Sequence, residues 1–187
     1  MKIFAISGSL RAASMNTAVL KAISHLSTGN ITVEIYADLG QLPLFNPDVE
    51  IADSPFPANL RTQIMDSDAV LIASPEYAHG ISGSMKNALD WMVGCEAFVN
   101  KHVVLLNTSP RAVHAQAALR ETLSMMSANI VDAACATVPL LGSKLTVDEI
   151  VHHPIIQALL INVLEKIQTF VQSGRSLPDS LAINNGE

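Results

Sequence analysis

Ile6-Ser7-Gly8-Ser9-Leu10-Arg11-Ala12-Ala13-Ser14-Met15-Asn16-Thr17 is the stretch that decides the fold. It follows a short apolar run, Ile3 to Ser7, and it opens a helical pattern over Met15 to Leu26, in which Val19, Leu20, Ile23 and Leu26 share one buried face. A strand, a small polar loop and a helix start form an anion site. Backbone N–H groups of the loop and first helical turn converge, and the helix dipole favours negative charge there. Ser9, Ser14, Asn16 and Thr17 add side-chain donors, and Arg11 adds a fork of them. The spacing is neither G-x-G-x-x-G nor a P-loop with Lys before Ser or Thr. Hydroxyls stand where a dinucleotide loop carries glycines, which suits one terminal phosphate. Capping of the helix by Ser14 alone would not account for Arg11 and Thr17.

Outward from this loop, apolar runs alternate with helical patterns. Strands are expected over Ile3–Ser7, Ile31–Tyr36, Ala69–Ala73, Val103–Asn107 and Ile130–Val138, and helices over Met15–Leu26, Leu60–Asp66, Ser84–Val93, Ala115–Met126 and from Pro154 onward. Pro43, Pro47, Pro55 and Pro57 mark a long irregular loop. Thr146 and Glu149 have capping-box spacing, which suggests a short turn before Pro154. This order predicts an α/β fold, a parallel sheet covered by helices on both faces. One domain over 1–174 is expected, with a polar tail over 175–187. Ligands of such folds sit at the carboxyl ends of the strands, where the loops 8–14, 74–83 and 108–114 would meet.

Composition excludes several classes. The 187 residues are 49% apolar and 15% charged, with a formal net charge of −6, so a general nucleic-acid binder with a basic face is not expected. No apolar run reaches the ~20 residues of a membrane span, since Gln157, Asn162, Glu165 and Lys166 interrupt Ile155–Ile167; a cytoplasmic protein without membrane contact is expected. Cys95 and Cys135 have no metal or redox-motif spacing and read as buried apolar residues. His152-His153 lacks companion ligands and reads as a turn at a helix start, so no metal site is expected.

The second loop, Ser74-Pro75-Glu76-Tyr77-Ala78-His79-Gly80-Ile81-Ser82-Gly83, presents backbone groups and a flat Tyr77 surface to a planar ligand. His79 reads equally as a ligand contact and a solvated residue, and Glu76 as a base or a backbone-ordering group. The next helix, starting near Gly83-Ser84, would aim its positive end into the same site. Lys86 and Asp90 read as a surface ion pair, and Trp91 as core or as a face for a partner subunit. The loop Thr108-Ser109-Pro110-Arg111 adds hydroxyls and a cation. No nucleophile-and-base constellation stands out, so no catalytic side chain is assigned.

Gly-Ser-Leu-Arg-x-x-Ser-x-Asn-Thr after strand one, with Ser-Pro-Glu-Tyr before Gly-x-x-x-Lys-Asn-Ala-Leu-Asp-Trp, resembles the NADPH-dependent FMN reductases, relatives of quinone, chromate and azo-dye reductases. The resemblance spans roughly Met1 to Gln172 by element order. It implies a flavodoxin-like three-layer sandwich whose five-stranded parallel sheet has the order 2-1-3-4-5. It implies FMN as cofactor and NAD(P)H as co-substrate. A hydride would pass from nicotinamide to flavin N5, and electrons then to free FMN, a quinone or another small acceptor in the same pocket. Ser9, Arg11, Ser14, Asn16 and Thr17 would hold the FMN phosphate. Pro75, Glu76, Tyr77, His79 and Gly80 would line the flavin ring, and Ser109 would close the site. Many members carry Asn where this chain has Ala78. The resemblance further implies a homodimer or homotetramer through the helix containing Trp91. The alternative reading is a non-catalytic electron carrier of flavodoxin type.

Overall fold

The computed structural model describes residues 1–175. The elements are β1 (Lys2–Ser7), α1 (Met15–Leu26), β2 (Thr32–Ile35), α2 (Pro55–Met65), β3 (Ala69–Ala73), β4 (Glu76–Tyr77), β5 (Gly80–Ile81), α3 (Gly83–Val93), β6 (His102–Asn107), α4 (Val113–Met125), β7 (Asn129–Ile130), β8 (Ala136–Thr137), α5 (Val147–His152) and α6 (Pro154–Arg175). From residue 176 on, the expected polar tail lies outside the described residues.

The main sheet is parallel and runs β2-β1-β3-β6-β7, with β8 also on β6. Its centre is β3, all five residues of which are buried; a strand covered on both faces carries no polar side chain. Alternation along β1 divides the core. Ile3 and Ala5 pack with α1, α5 and α6 on one face, and Phe4 and Ile6 with α2, α3 and α4 on the other. Two apolar layers around one sheet make the three-layer sandwich, and the order 2-1-3-4-5 holds for the strand positions.

The fifth position differs from the expected continuous strand. It is two bridges: β7 pairs with His102 and Val103, and β8 with Leu106 and Asn107. A 3-10 turn, Asp132–Ala134, separates them. Across the gap the Leu105 N–H donates to Cys135 Sγ at 3.3 Å, so the interrupted ladder leaves no orphan donor on β6 at that point. Burial pushes the Cys135 thiol above its ordinary range.

The proline-rich stretch also departs from the expectation. Pro55 and Pro57 lie in the first turn of α2, which begins five residues before the expected Leu60. Proline lacks only an N–H that the first turn does not use, and its fixed φ suits a helix start. Thr146 and Glu149 form the capping box of α5, and Pro154 begins α6. By length and composition Pro154–Ser173 qualifies as a span, contrary to the count of apolar runs. Its stripe Ile156, Leu160, Val163, Leu164, Ile167 and Val171 is buried in the core, while Ile155, Ile161 and Phe170 on its other side are exposed.

Candidate functional site: a cleft at the start of the first helix

The β1–α1 loop is fixed from three sides. Gly8 donates its N–H to Ala73 O at 2.8 Å, which holds the loop against the end of β3. Its carbonyl accepts from Ser82 Oγ at 2.6 Å and from Ser84 Oγ at 3.0 Å. The start of α3 is therefore pinned to Gly8, and Gly83 and Ser84 do not line the cleft described below. A Cβ on Gly8 would sit 2.3 Å from Ser74 Oγ and 2.8 Å from Ser74 Cβ. Close approach of the two loops is what requires glycine there.

The first turn of α1 is assembled by its own polar residues. Ser14 Oγ accepts the Thr17 N–H at 3.3 Å as N-cap. Thr17 Oγ1 shares a hydrogen bond with Ser7 Oγ at 2.8 Å, and Thr108 Oγ1 donates to Asn16 Oδ1 at 3.1 Å. The second contact ties α1 to the loop after β6 and leaves the Asn16 amide NH2 without a protein partner among the described residues. Asn107 Oδ1 accepts the Ser109 N–H at 3.0 Å, turning that loop toward α1.

These loops enclose a cleft of about 780 Å³. Ser9, Arg11, Ser14, Asn16, Thr17, Pro75, Tyr77 and Ser109 line it, so eight expected site residues come together at the carboxyl ends of β1, β3 and β6. Glu76, His79 and Gly80 do not line it. Glu76 Oε2 instead accepts the Ala115 N–H at 2.9 Å in the first turn of α4, whose N-cap position, Ala112, has no side-chain acceptor. His79 stacks on His114 at a ring separation of 4.3 Å. Gly80 pairs with Tyr77 to close the β4–β5 hairpin, which replaces the irregular loop expected over 74–83. The turn residues Ala78 and His79 both have positive φ, 48° and 59°, the pattern of a tight hairpin turn usually served by Asn and Gly. Two contacts, one at each end, thus fasten the hairpin to α4 and leave Tyr77 58% exposed over the cleft.

Sequence reasoning passed over the far wall, Leu140 to Val147, and Lys21. Lys21 was legible by spacing, since Ser14, Thr17 and Lys21 recur on one helix face. The wall carries no periodicity. It is held by buried Leu140, by Ser143 Oγ against Met15 Sδ at 3.6 Å, and by the α5 capping box. Arg111 lies outside the cleft, its N–H bonded to Ser109 Oγ at 3.3 Å. Trp91 is 3% exposed, with Nε1 donating to Pro43 O at 2.8 Å and the Phe45 ring meeting it in a T-shaped contact, so it is core and not a bare partner surface. Lys86 and Asp90 form the expected ion pair. His152 faces Asp148 at the end of α5.

The donor set fits a phosphate. The cleft has hydroxyls, a buried amide, a capped helix N-terminus and the cations Arg11, Lys21 and Lys144, and no carboxylate lines it among the described residues. Fold and cleft together define a flavodoxin-like α/β protein with a cation-lined cleft at the carboxyl ends of its strands. The chain belongs to the NADPH-dependent FMN reductase family, whose model it matches over residues 1–140. It is 36% identical over 129 residues to an NAD(P)H-dependent FMN reductase of Pseudomonas aeruginosa, covering 66% of this chain and 69% of that one. It is 40% identical over 96 residues to an NADPH:quinone oxidoreductase of Arabidopsis thaliana, where the match spans about half of each, 49% and 48%. The fold is similar to that of FerB, a flavoenzyme NAD(P)H:(acceptor) oxidoreductase from Paracoccus denitrificans, with a TM-score of 0.73 and 24% identity over 92% of this chain and 97% of that one.

Proposed function

We propose that this chain is an FMN-dependent NAD(P)H oxidoreductase that reduces a small acceptor of the quinone type. The observation that carries this reading is a cleft at the start of α1 that, among the described residues, is lined by cations and by no carboxylate, in a chain of net charge −6. Membership of the FMN reductase family and the flavin or quinone reductases among its relatives support the ligand and reaction class.

Bound FMN would supply the redox chemistry, taking reducing equivalents from the nicotinamide and passing them to the acceptor. The residues bind and orient. Ser9, Arg11, Ser14, Asn16 and Thr17 hold the phosphate through charge-assisted and neutral hydrogen bonds. Pro75 and Tyr77 give the ring a flat apolar support, and Ser109 closes the opposite side. Glu76, His79 and Gly80 act one step back, by fixing the hairpin that carries Tyr77. Glu76 is held on α4 and serves no proton transfer. The protein works in the cytoplasm as a homo-oligomer. The exposed Leu44, Phe45 and Val49, in the segment laid over Trp91, support an interface on that side.

The test is turnover. Purified protein with FMN should oxidise NADPH when a quinone is added. Flavin binding without any NAD(P)H oxidation would favour the electron-carrier reading instead.

A further inference from the structure

We propose that Thr108 is a positioning residue for the phosphate end of the cleft. By holding the Asn16 amide oxygen it keeps the amide NH2 turned to the ligand, so that this position takes a group that accepts hydrogen bonds and rejects one that donates them. The proposal rests on the FMN reading above.

Asn16 is the second residue of α1 and is 6% exposed; Thr108 directly follows β6 and is 7% exposed. Both line the cleft, although 92 residues of chain separate them. An asparagine amide has donors at one end and an acceptor at the other, in nearly the same shape. Which end meets a ligand is therefore decided by what holds the opposite end. Thr108 Oγ1 lies 3.1 Å from Asn16 Oδ1. Two oxygens this close share a proton, and only the hydroxyl has one to give. The amide oxygen is thus taken by Thr108, and the NH2 has no protein partner among the described residues. The neighbouring hydroxyls of the same turn are already engaged, Ser14 Oγ by the Thr17 N–H and Thr17 Oγ1 by Ser7 Oγ. Asn16 is left as the buried side-chain donor of the first turn that only a ligand can satisfy, at the end of a helix whose dipole favours an anion. Phosphate oxygens match it, since an ionised phosphate accepts hydrogen bonds. With the amide turned round, its oxygen would face the phosphate and repel it.

The experiment measures FMN and riboflavin affinity by flavin fluorescence for wild type, Thr108→Val, Thr108→Ser, Asn16→Ala and the Thr108→Val/Asn16→Ala double variant. Valine keeps the branched shape and removes the hydroxyl. The released amide must then be ordered at each binding event, so FMN affinity should fall about threefold to tenfold, with riboflavin affinity changed less than about twofold. Thr108→Ser should restore the FMN value. In the Asn16→Ala background, Thr108→Val should change FMN affinity by less than about twofold, because the hydroxyl acts only through the amide. A loss shared equally by FMN and riboflavin, an unchanged FMN affinity in Thr108→Val, no recovery in Thr108→Ser, or an undiminished loss in the Asn16→Ala background would each overturn the proposal. If wild type binds FMN and riboflavin equally, the phosphate reading fails on its own. The same double-mutant cycle, read by denaturant unfolding without flavin, then still decides whether Thr108 holds Asn16: coupled effects support the contact, and effects that simply add overturn it.

Discussion

Glu76 Oε2 accepts a hydrogen bond from the backbone N–H of Ala115 at 2.9 Å, across 39 residues of chain. This contact supplies α4 with the N-terminal acceptor its own Ala112 lacks and fastens the hairpin under Tyr77. Glu76→Ala should cost about 1 kcal/mol of stability, the usual value of a lost helix cap, measured by denaturant unfolding. Glu76→Gln keeps an acceptor oxygen and should leave the pH profile of turnover in place. A base in the reaction would instead lose on the order of a hundredfold in rate.

Gly8 meets Ser74 so closely that a methyl group has no room. Gly8→Ala should destabilise the protein by about 1–3 kcal/mol, the range for overpacked sites. Adding Ser74→Gly removes the 2.3 Å and 2.8 Å contacts and should return part of the loss. A double-mutant cycle in which the two effects simply add would contradict the contact.

How much of this was legible in the residues depends on the range of the force responsible. Met15–Leu26 and Ala69–Ala73 emerge with the expected bounds because apolar spacing and the Ser14 cap are local signals. Pro55 and Pro57 misled, because proline breaks a helix interior and starts a helix, and only position within the element decides which. The split fifth strand was not visible, since its gap is closed by Cys135 reaching the N–H of Leu105 on another strand. The same holds in the site. That the residues around the start of α1 share one cleft was readable because they are neighbours in sequence and flank a helix that Ser14 caps. The roles of Glu76 and His79 depend on Ala115 and His114, more than thirty residues away, so neither could be separated from a ligand contact by spacing alone.

Ala78 occupies the first turn position with φ of 48°, where a Cβ is unfavourable and where asparagine or glycine is tolerated. Ala78→Gly or Ala78→Asn should therefore stabilise the protein by up to about 1 kcal/mol. For a chain of this size that raises Tm by about 2–4 °C in a thermal melt. A lower Tm for both variants would show that the turn is not strained.

Glu149 is held below its ordinary value of 4.5, first by the Thr146 N–H and then by the Thr146 hydroxyl. A carboxylate with a depressed folded pKa contributes stability that is complete above its unfolded value and is lost as pH falls through the folded one. The α5 cap, and with it the wall carrying Lys144, should loosen only in acid below the ordinary carboxylate range. Chemical-shift titration of the Glu149 side chain should give a pKa below 4.5. Thr146→Ala should bring it back up, and no change in that variant would separate the shift from the capping box.

The central claim is that the cleft at the start of α1 recognises FMN through its phosphate. The most direct measurement is the affinity of the protein for FMN against that of riboflavin, which is FMN without the phosphate, by titration of flavin fluorescence. Charge-assisted hydrogen bonds of about 1.5–3 kcal/mol each predict FMN at least about a hundredfold tighter, with Arg11→Ala losing about tenfold or more of that advantage. Equal affinity for the two flavins, or an advantage untouched by Arg11→Ala, would contradict it.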